Sequence, residues 1–420
     1  MLKFLKWFIG LFSSYANGFE RKVDRFFRHV KSTDSLASIK RGLLSLLQEN
    51  LIVVNVWMER KYKGYKYLNK FTRRKMYEDV KKIVAMLEKE LQVDVTSIDE
   101  IRAVLKEKGL SFSSNDEDRI QYLYQIMKFL SPGKYYSYIR TASFGKLLRD
   151  PATEKLEGDC NQIVTLYIYL FSLKFPLEEL QIKLLPEHVC LHFRGIDIEA
   201  TNGTFQRYED DTQILPVTEI ISTNLLDLTD FREDVQEINT RDMLKSAQLA
   251  YAISSLKPLV AKNLNISYKN LAISAMRAKD FDTAIFYFEK ASDGNSLNVA
   301  YHNAAIYYMN LHNFPKAANY AHKSGESELE KMVKYNEGVY YYKNDNVSKA
   351  LSIFSFLGDE QMKKACYQLQ YNKLVKKVAS VKTLNDAKKY KSTYDEMLTL
   401  AQKIGDSEME KSVRSTLNQI

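Results

Sequence analysis

A chain of 420 residues with 45% hydrophobic content is long enough for two or three domains, each with its own core. The formal charge of +9 is modest at this length and favours acidic partners or membrane surfaces without requiring either. No long apolar span, Gly-rich phosphate loop or low-complexity tract is present, which speaks against a transmembrane protein and a nucleotide-driven one, and three scattered cysteines argue against a disulfide framework and fit a reducing cytoplasm.

Residues 1–115 read as a helical N-terminal region. From Met1 to Tyr15, apolar Leu2, Phe4, Leu5, Phe8, Ile9, Leu11 and Phe12 are set among Lys3, Lys6 and Trp7. The stretch is too short to span a bilayer and lacks a convincing cleavage site, so docking on the protein is the expectation. The alternative is interfacial membrane contact, helped by Arg21, Lys22, Arg25, Arg28 and Lys31 just behind it. Between Arg60 and Tyr67, basic residues interleave with tyrosines; a solvated helix face is the commoner origin of that pattern, and no nucleic-acid module accompanies it, so no nucleic acid is expected as partner.

Residues 116–260 carry the chemistry. Asp159 is a good N-cap, so a helix is predicted from Cys160 through Ile163, Val164, Leu166, Tyr167, Ile168, Leu170 and Phe171 toward Pro176. Being apolar nearly all round, it is predicted to be a central core helix, with Cys160 at the tip where the macrodipole favours a thiolate and free N–H groups face an oxyanion. Downstream, His188, Cys190 and His192 alternate with Val189, Leu191 and Phe193, as in a half-buried strand. Arg194-Gly195 reads as a two-residue turn, which pairs Phe193 with Ile196 and puts Glu199 opposite Cys190, diagonal to His188 on the same face. A thiol, an imidazole and a carboxylate so placed are a nucleophile, a base and an orienter: Cys160, His188 and Glu199.

These residues resemble the transglutaminase-like branch of the papain-like cysteine peptidases. That family places a Gly-x-Cys at the start of a core helix, a His on a following strand and an Asp on the next, often within Asp-Pro-Thr-Asn-Gly. Here Gly158-Asp159-Cys160, His188 and Glu199-Ala-Thr-Asn-Gly203 stand in those places. The chain departs from the pattern at Cys190, where an aromatic is usual, and at Glu199, where an Asp is usual. The resemblance implies an α+β fold and acyl transfer: amide hydrolysis, crosslinking or deamidation, with no cofactor.

Three competing readings stand beside it. Cys160 alone is a small buried hydrophobe. His192 and Asp197 share the face of His188 and Glu199 and offer a second dyad. His188, Cys190 and His192, with Cys160, form a stripe of metal-ligand types, but three ligands on a straight strand span about 13 Å, too wide to converge on one ion without a bulge.

Residues 261–420 contain a repeat. Ala284, Ala317 and Ala350 recur every 33 residues, each after a turn-like stretch and each preceded twelve residues earlier by Ala272, Ala305 or Gly338. Phe288 and Phe354 follow two of the alanines, Ala291 continues the first face, and a fourth, degenerate unit lies around Ala387. The pattern resembles the tetratricopeptide repeat and implies an α-solenoid that binds a protein or peptide, through residues such as Tyr308, Asn310, Asn336 and Tyr341. A purely intramolecular prop is the other reading. The chain as a whole is therefore expected to be a cysteine-dependent acyl-transfer protein with a partner-binding array, the alternative being an inactive interaction scaffold.

Overall fold

The computed structural model describes residues 13–208, 213–227 and 240–420. It is a mixed α+β protein, 68% helical, with a small antiparallel sheet and a helical C-terminal region. Two compact units divide between Leu271 and Ala272. Among the described residues no helix is long and apolar enough to cross a membrane.

The first unit begins with α1 (Gly18–His29) and α2 (Leu36–Met58). Asn50 leaves the helical region in the middle of α2, and its side chain accepts the Val53 N–H at 3.0 Å, recapping the second half. That half, Leu51 to Met58, is buried on every face because it runs through the core and packs against the helix that carries Cys160. One continuous core joins residues from Val23 to Ile253, so the N-terminal helices share it with the segment from residue 116 onward. Residues 1–12, with most of the apolar N-terminal segment, lie outside the described residues. From Ser13 the chain is docked: Lys70 Nζ donates to the Ser13 carbonyl and Arg73 to the Ser14 carbonyl, both at 2.8 Å.

The basic, tyrosine-rich stretch from Arg60 to Tyr67 differs from a solvated face. Tyr62, Lys63 and Tyr65 are buried, and Lys63 donates to the Ala142 carbonyl and lies 3.7 Å from the Glu59 carboxylate. Its cation is spent inside the protein, because a buried ammonium survives only when it is paired.

After α3 (Lys70–Val93), α4 (Ile98–Glu107) and α5 (Glu117–Phe129), β1 (Tyr136–Tyr138) pairs in parallel with β2 (Leu156–Gly158), bringing Tyr138 beside Gly158. Helix α6 (Cys160–Ser172) follows at once. Strands β3 (Gln181–Leu185), β4 (His188–Phe193), β5 (Ile196–Glu199), β6 (Thr204–Gln206) and β7 (Gln213–Pro216) form an antiparallel sheet in the order β6-β5-β4-β3-β7. α6 packs on β4, with Phe171 against Phe193. β4 pairs with β5 through Phe193↔Ile196 and Leu191↔Ile198, and Arg194 and Gly195 both have positive φ, 48° and 89°, as a type I′ hairpin turn requires. The alternation of β4 predicts one wet face, but everything from Val189 to Phe193 is buried. Its polar face is covered by side-chain pairs, His188 with Glu199 and both His192 and Lys183 with Asp197.

Helices α7 (Glu219–Leu226) and α8 (Thr240–Ile253) complete the first unit, and α9 (Lys257–Arg277) runs past its boundary, so the division falls inside a helix rather than at 260/261.

In the second unit α10 (Phe281–Lys290), α11 (Gly294–Asn310), α12 (Phe314–Ser324), α13 (Ser327–Lys343) and α14 (Val347–Leu357) pack as successive neighbours. Ala272, Ala284, Ala305, Ala317, Gly338 and Ala350 are all buried at helix contacts, where small residues let backbones approach. The 33-residue period also governs the turns. Left-handed Lys279, His312 and Asp345 precede N-caps Asp280, Asn313 and Asn346, and Ser292, Gly325 and Gly358 take positive φ at the alternate turns. The period fails after α15 (Glu360–Val378): Ala387 lies in the short α16 (Leu384–Lys388), and α15 packs on α17 (Lys391–Ile404), which precedes α18 (Ser407–Leu417).

Candidate active site

Cys160 sits at the first position of α6 because three neighbours fix that end. The Asp159 carboxylate accepts the Asn161 N–H at 3.0 Å, and the Gln162 side chain accepts the Asp159 N–H at 3.3 Å, a reciprocal capping box. Gly158 is required by space: a Cβ there would lie 3.0 Å from Leu147 Cγ and 3.1 Å from Gln162 Cβ. Cys160 is half-buried, whereas Cys190 and Cys366 are fully buried with thiols pushed up by burial; the negative charges of Asp197 and Glu199 add to the effect at Cys190.

His188 at the start of β4 is hydrogen-bonded to Glu199, and Cys160 is close enough to act on the same ring electrostatically. Its Nε2 lies 2.6 Å from Glu199 Oε2, so Nδ1 is the ring nitrogen that Glu199 does not take. The two neighbours, Cys160 first and Glu199 second, outweigh burial and raise the imidazole to about 10. Glu199 is 5% exposed against 28% for His188, so the site opens on the imidazole side. Burial pushes the Glu199 carboxyl up, but His188 and Thr201 more than offset it and hold it below the ordinary range. Thr201 is presented by the turn of Glu199-Ala-Thr-Asn-Gly203, where Gly203 has φ +67° and returns its N–H to the Glu199 carbonyl at 2.9 Å. The Thr201 N–H reaches Glu199 Oε1 at 3.1 Å.

His192 and Asp197 form the other dyad, and its chemistry is different. His192 Nδ1 lies 2.6 Å from Asp197, while Nε2 accepts the Gly195 N–H at 3.1 Å. Both ring nitrogens of His192 are therefore occupied by partners of its own. No nitrogen is left for a thiol. Among the described residues no three His, Cys, Asp or Glu side chains converge as a metal site.

Four participants escaped the sequence reading. Tyr208 donates to Glu199 Oε2 at 2.9 Å. Tyr136 donates to the Gly158 carbonyl at 2.9 Å and fixes the approach to α6. Tyr138, more than half exposed, stands within electrostatic range of Cys160 and Asp159. Asp227 accepts from Asn161 and Gln162 at 3.4 and 3.3 Å and, after burial itself, is the main reason that Asp159 is raised to about 7. None lies at a motif spacing from Cys160, and only Tyr138, through its strand register with Gly158, is close to a local signal.

Of the repeat residues, Tyr308 stacks on Tyr320 at 5.7 Å and has Lys316 Nζ 4.7 Å from its ring centroid, and Asn336 donates to the Met332 carbonyl at 2.8 Å. Asn310 is exposed and Tyr341 half-buried. No family model matches the chain, and no curated protein is significantly similar to it.

Proposed function

We propose that the first unit is a transglutaminase-like cysteine-site domain that transfers acyl groups from amides of proteins or peptides, and that the C-terminal helices are tetratricopeptide-like repeats that bind a protein or peptide partner. The observation that carries the reading is His188 hydrogen-bonded to Glu199 with Cys160, at the tip of α6, acting on the same ring. Cys160 is the nucleophile, His188 the base and then the acid, and Glu199 the orienter. With the imidazole raised to about 10, the proton given up by the Cys160 thiol rests on His188, and the sulfur attacks the amide carbon. The oxyanion meets the N–H groups at the tip of α6. His188 then protonates the leaving nitrogen as the C–N bond breaks, and water or an amine resolves the thioester, restoring the thiol.

The test is the pH dependence of iodoacetamide labelling at Cys160, followed by mass spectrometry with Cys366 as internal reference. Rapid labelling below neutral pH that disappears in His188→Ala supports the reading. Labelling unchanged by that substitution refutes it and moves the function to the repeats, as a scaffold in which the triad is a relic.

A further inference from the structure

We propose that Tyr208 is a positioning residue for the Glu199–His188 pair, and that the His192–Asp197–Lys183 network anchors it there. The inference rests on the reading of Cys160, His188 and Glu199 as the acyl-transfer site.

Tyr208 joins two clusters that share the polar face of the sheet. Its hydroxyl donates to Glu199 Oε2 at 2.9 Å, the same oxygen that lies 2.6 Å from His188 Nε2. Its backbone belongs to the other cluster: the Tyr208 N–H donates to Asp197 Oδ2 at 2.8 Å, and the Tyr208 carbonyl accepts from Lys183 Nζ. Lys183 also donates to Asp197 Oδ2 at 2.7 Å, and His192 holds the other Asp197 oxygen at 2.6 Å. All three anchoring side chains are buried. A buried ionic network is costly to assemble, and removing one member leaves its partner buried and uncompensated, so its members hold one another in place. What this one specifies is the backbone two residues beyond β6, and through it a phenol aimed at the catalytic carboxylate.

The chemical effect follows from sharing one oxygen. A second donor on Oε2 withdraws electron density from the acceptor that His188 uses, making the carboxylate less basic and the imidazolium readier to give up its proton. A general acid held too tightly does not protonate the leaving nitrogen. Tyr208 thus tempers Glu199. The other titratable groups facing Glu199 are His188 and Cys190 of β4, Tyr167 of α6 and Tyr136 of β1; the two tyrosines and Cys190 have their ionisation opposed by burial and stay neutral near pH 7.

The experiment is titration of the His188 ring by NMR in full-length wild type and Tyr208→Phe, with Cys160 labelling measured in the same samples and in His188→Ala. Phe keeps the ring and the backbone anchor and removes only the hydroxyl. The expected result is a His188 midpoint higher in Tyr208→Phe by about half a unit to one unit, with the thermal midpoint little changed. A midpoint that coincides with wild type, or falls, overturns the role of Tyr208. If instead Cys160 labelling ignores His188→Ala, the underlying site reading fails, and the two failures are told apart by the labelling alone.

Discussion

Replacing Glu199 by Gln tests whether charge or mere shape orients His188. The carboxylate accepts from His188 on Oε2, from Tyr208 on Oε2 at 2.9 Å, and from the Thr201 N–H on Oε1 at 3.1 Å. Gln is nearly isosteric but brings one acceptor and one NH2 group. Turned toward Oε1, the NH2 meets the Thr201 N–H, a donor; turned toward Oε2, it is accommodated only if the Tyr208 hydroxyl or the imidazole switches from donating to accepting. A buried mismatch of this kind costs about 1–3 kcal/mol. The loss of charge acts on His188 separately. A charge-assisted hydrogen bond is worth about 2 kcal/mol, which corresponds to a fall of roughly 1.5 units in the His188 midpoint from its value near 10. The partial exposure of His188 keeps the effect toward the lower end of that range. Ring titration by NMR and urea unfolding at pH 7 read the two quantities. Glu199→Asp keeps the charge but draws it back by one methylene, so it should fall between wild type and Gln. A His188 midpoint unmoved in Glu199→Gln, in protein that remains folded, would refute the reasoning that Glu199 tunes the imidazole.

The other predictions concern the tip of α6 and the thiols. Gly158→Ala should destabilise by about 1–2 kcal/mol in urea, because the new Cβ meets Leu147 and Gln162 at 3.0–3.1 Å, and Leu147→Ala in the same chain should relieve part of that cost; strict additivity would refute the contact. Asp159 is raised from 3.8 to about 7, so its contribution to stability is full below pH 3.8 and is lost as pH rises through 7. Asp159→Asn, which keeps a capping oxygen, should flatten stability over that window and exceed wild type at pH 8 by on the order of 3 kcal/mol in chemical denaturation; parallel pH profiles would contradict this. The raised His188 and lowered Glu199 have opposite signs: the first stabilises fully below about pH 6.5 and fades as pH approaches 10, and the second stabilises above 4.5 and fades as pH falls through its folded value. Iodoacetamide at pH 7 should give one adduct, at Cys160, since burial closes Cys190 and Cys366 and pushes both thiols up; comparable labelling of Cys366 by mass spectrometry would show that the fold does not protect it.

Local rules made much of the candidate site legible. Asp159 as a cap placed the start of α6 at Cys160, and a two-residue turn at Arg194-Gly195 set the register that brings Glu199 diagonal to His188. Both are interactions between residues a few positions apart, so their signatures are short strings. The choice between His188 and His192 was not legible in the same way. The two lie on one face at one spacing, and what separates them is the Gly195 N–H that occupies His192 Nε2. The basic stretch from Arg60 to Tyr67 was opaque for a related reason: composition gives its charge, and only packing shows that Lys63 is buried against Glu59 and Ala142.

What the sequence by itself determined, then, is everything carried by a period or a cap: the start of α6, the β4–β5 hairpin, and the 33-residue repeat of small residues and turn residues from Ala272 to Ala350. What only the tertiary structure decided is which groups share an oxygen. Tyr208 meets Glu199 and Asp197 because β5 and β6 lie side by side, and Asp227 meets Asn161 and Gln162 across more than sixty residues of chain. A hydrogen bond acts over about 3 Å of space and is indifferent to sequence distance, so such partners leave no spacing to read.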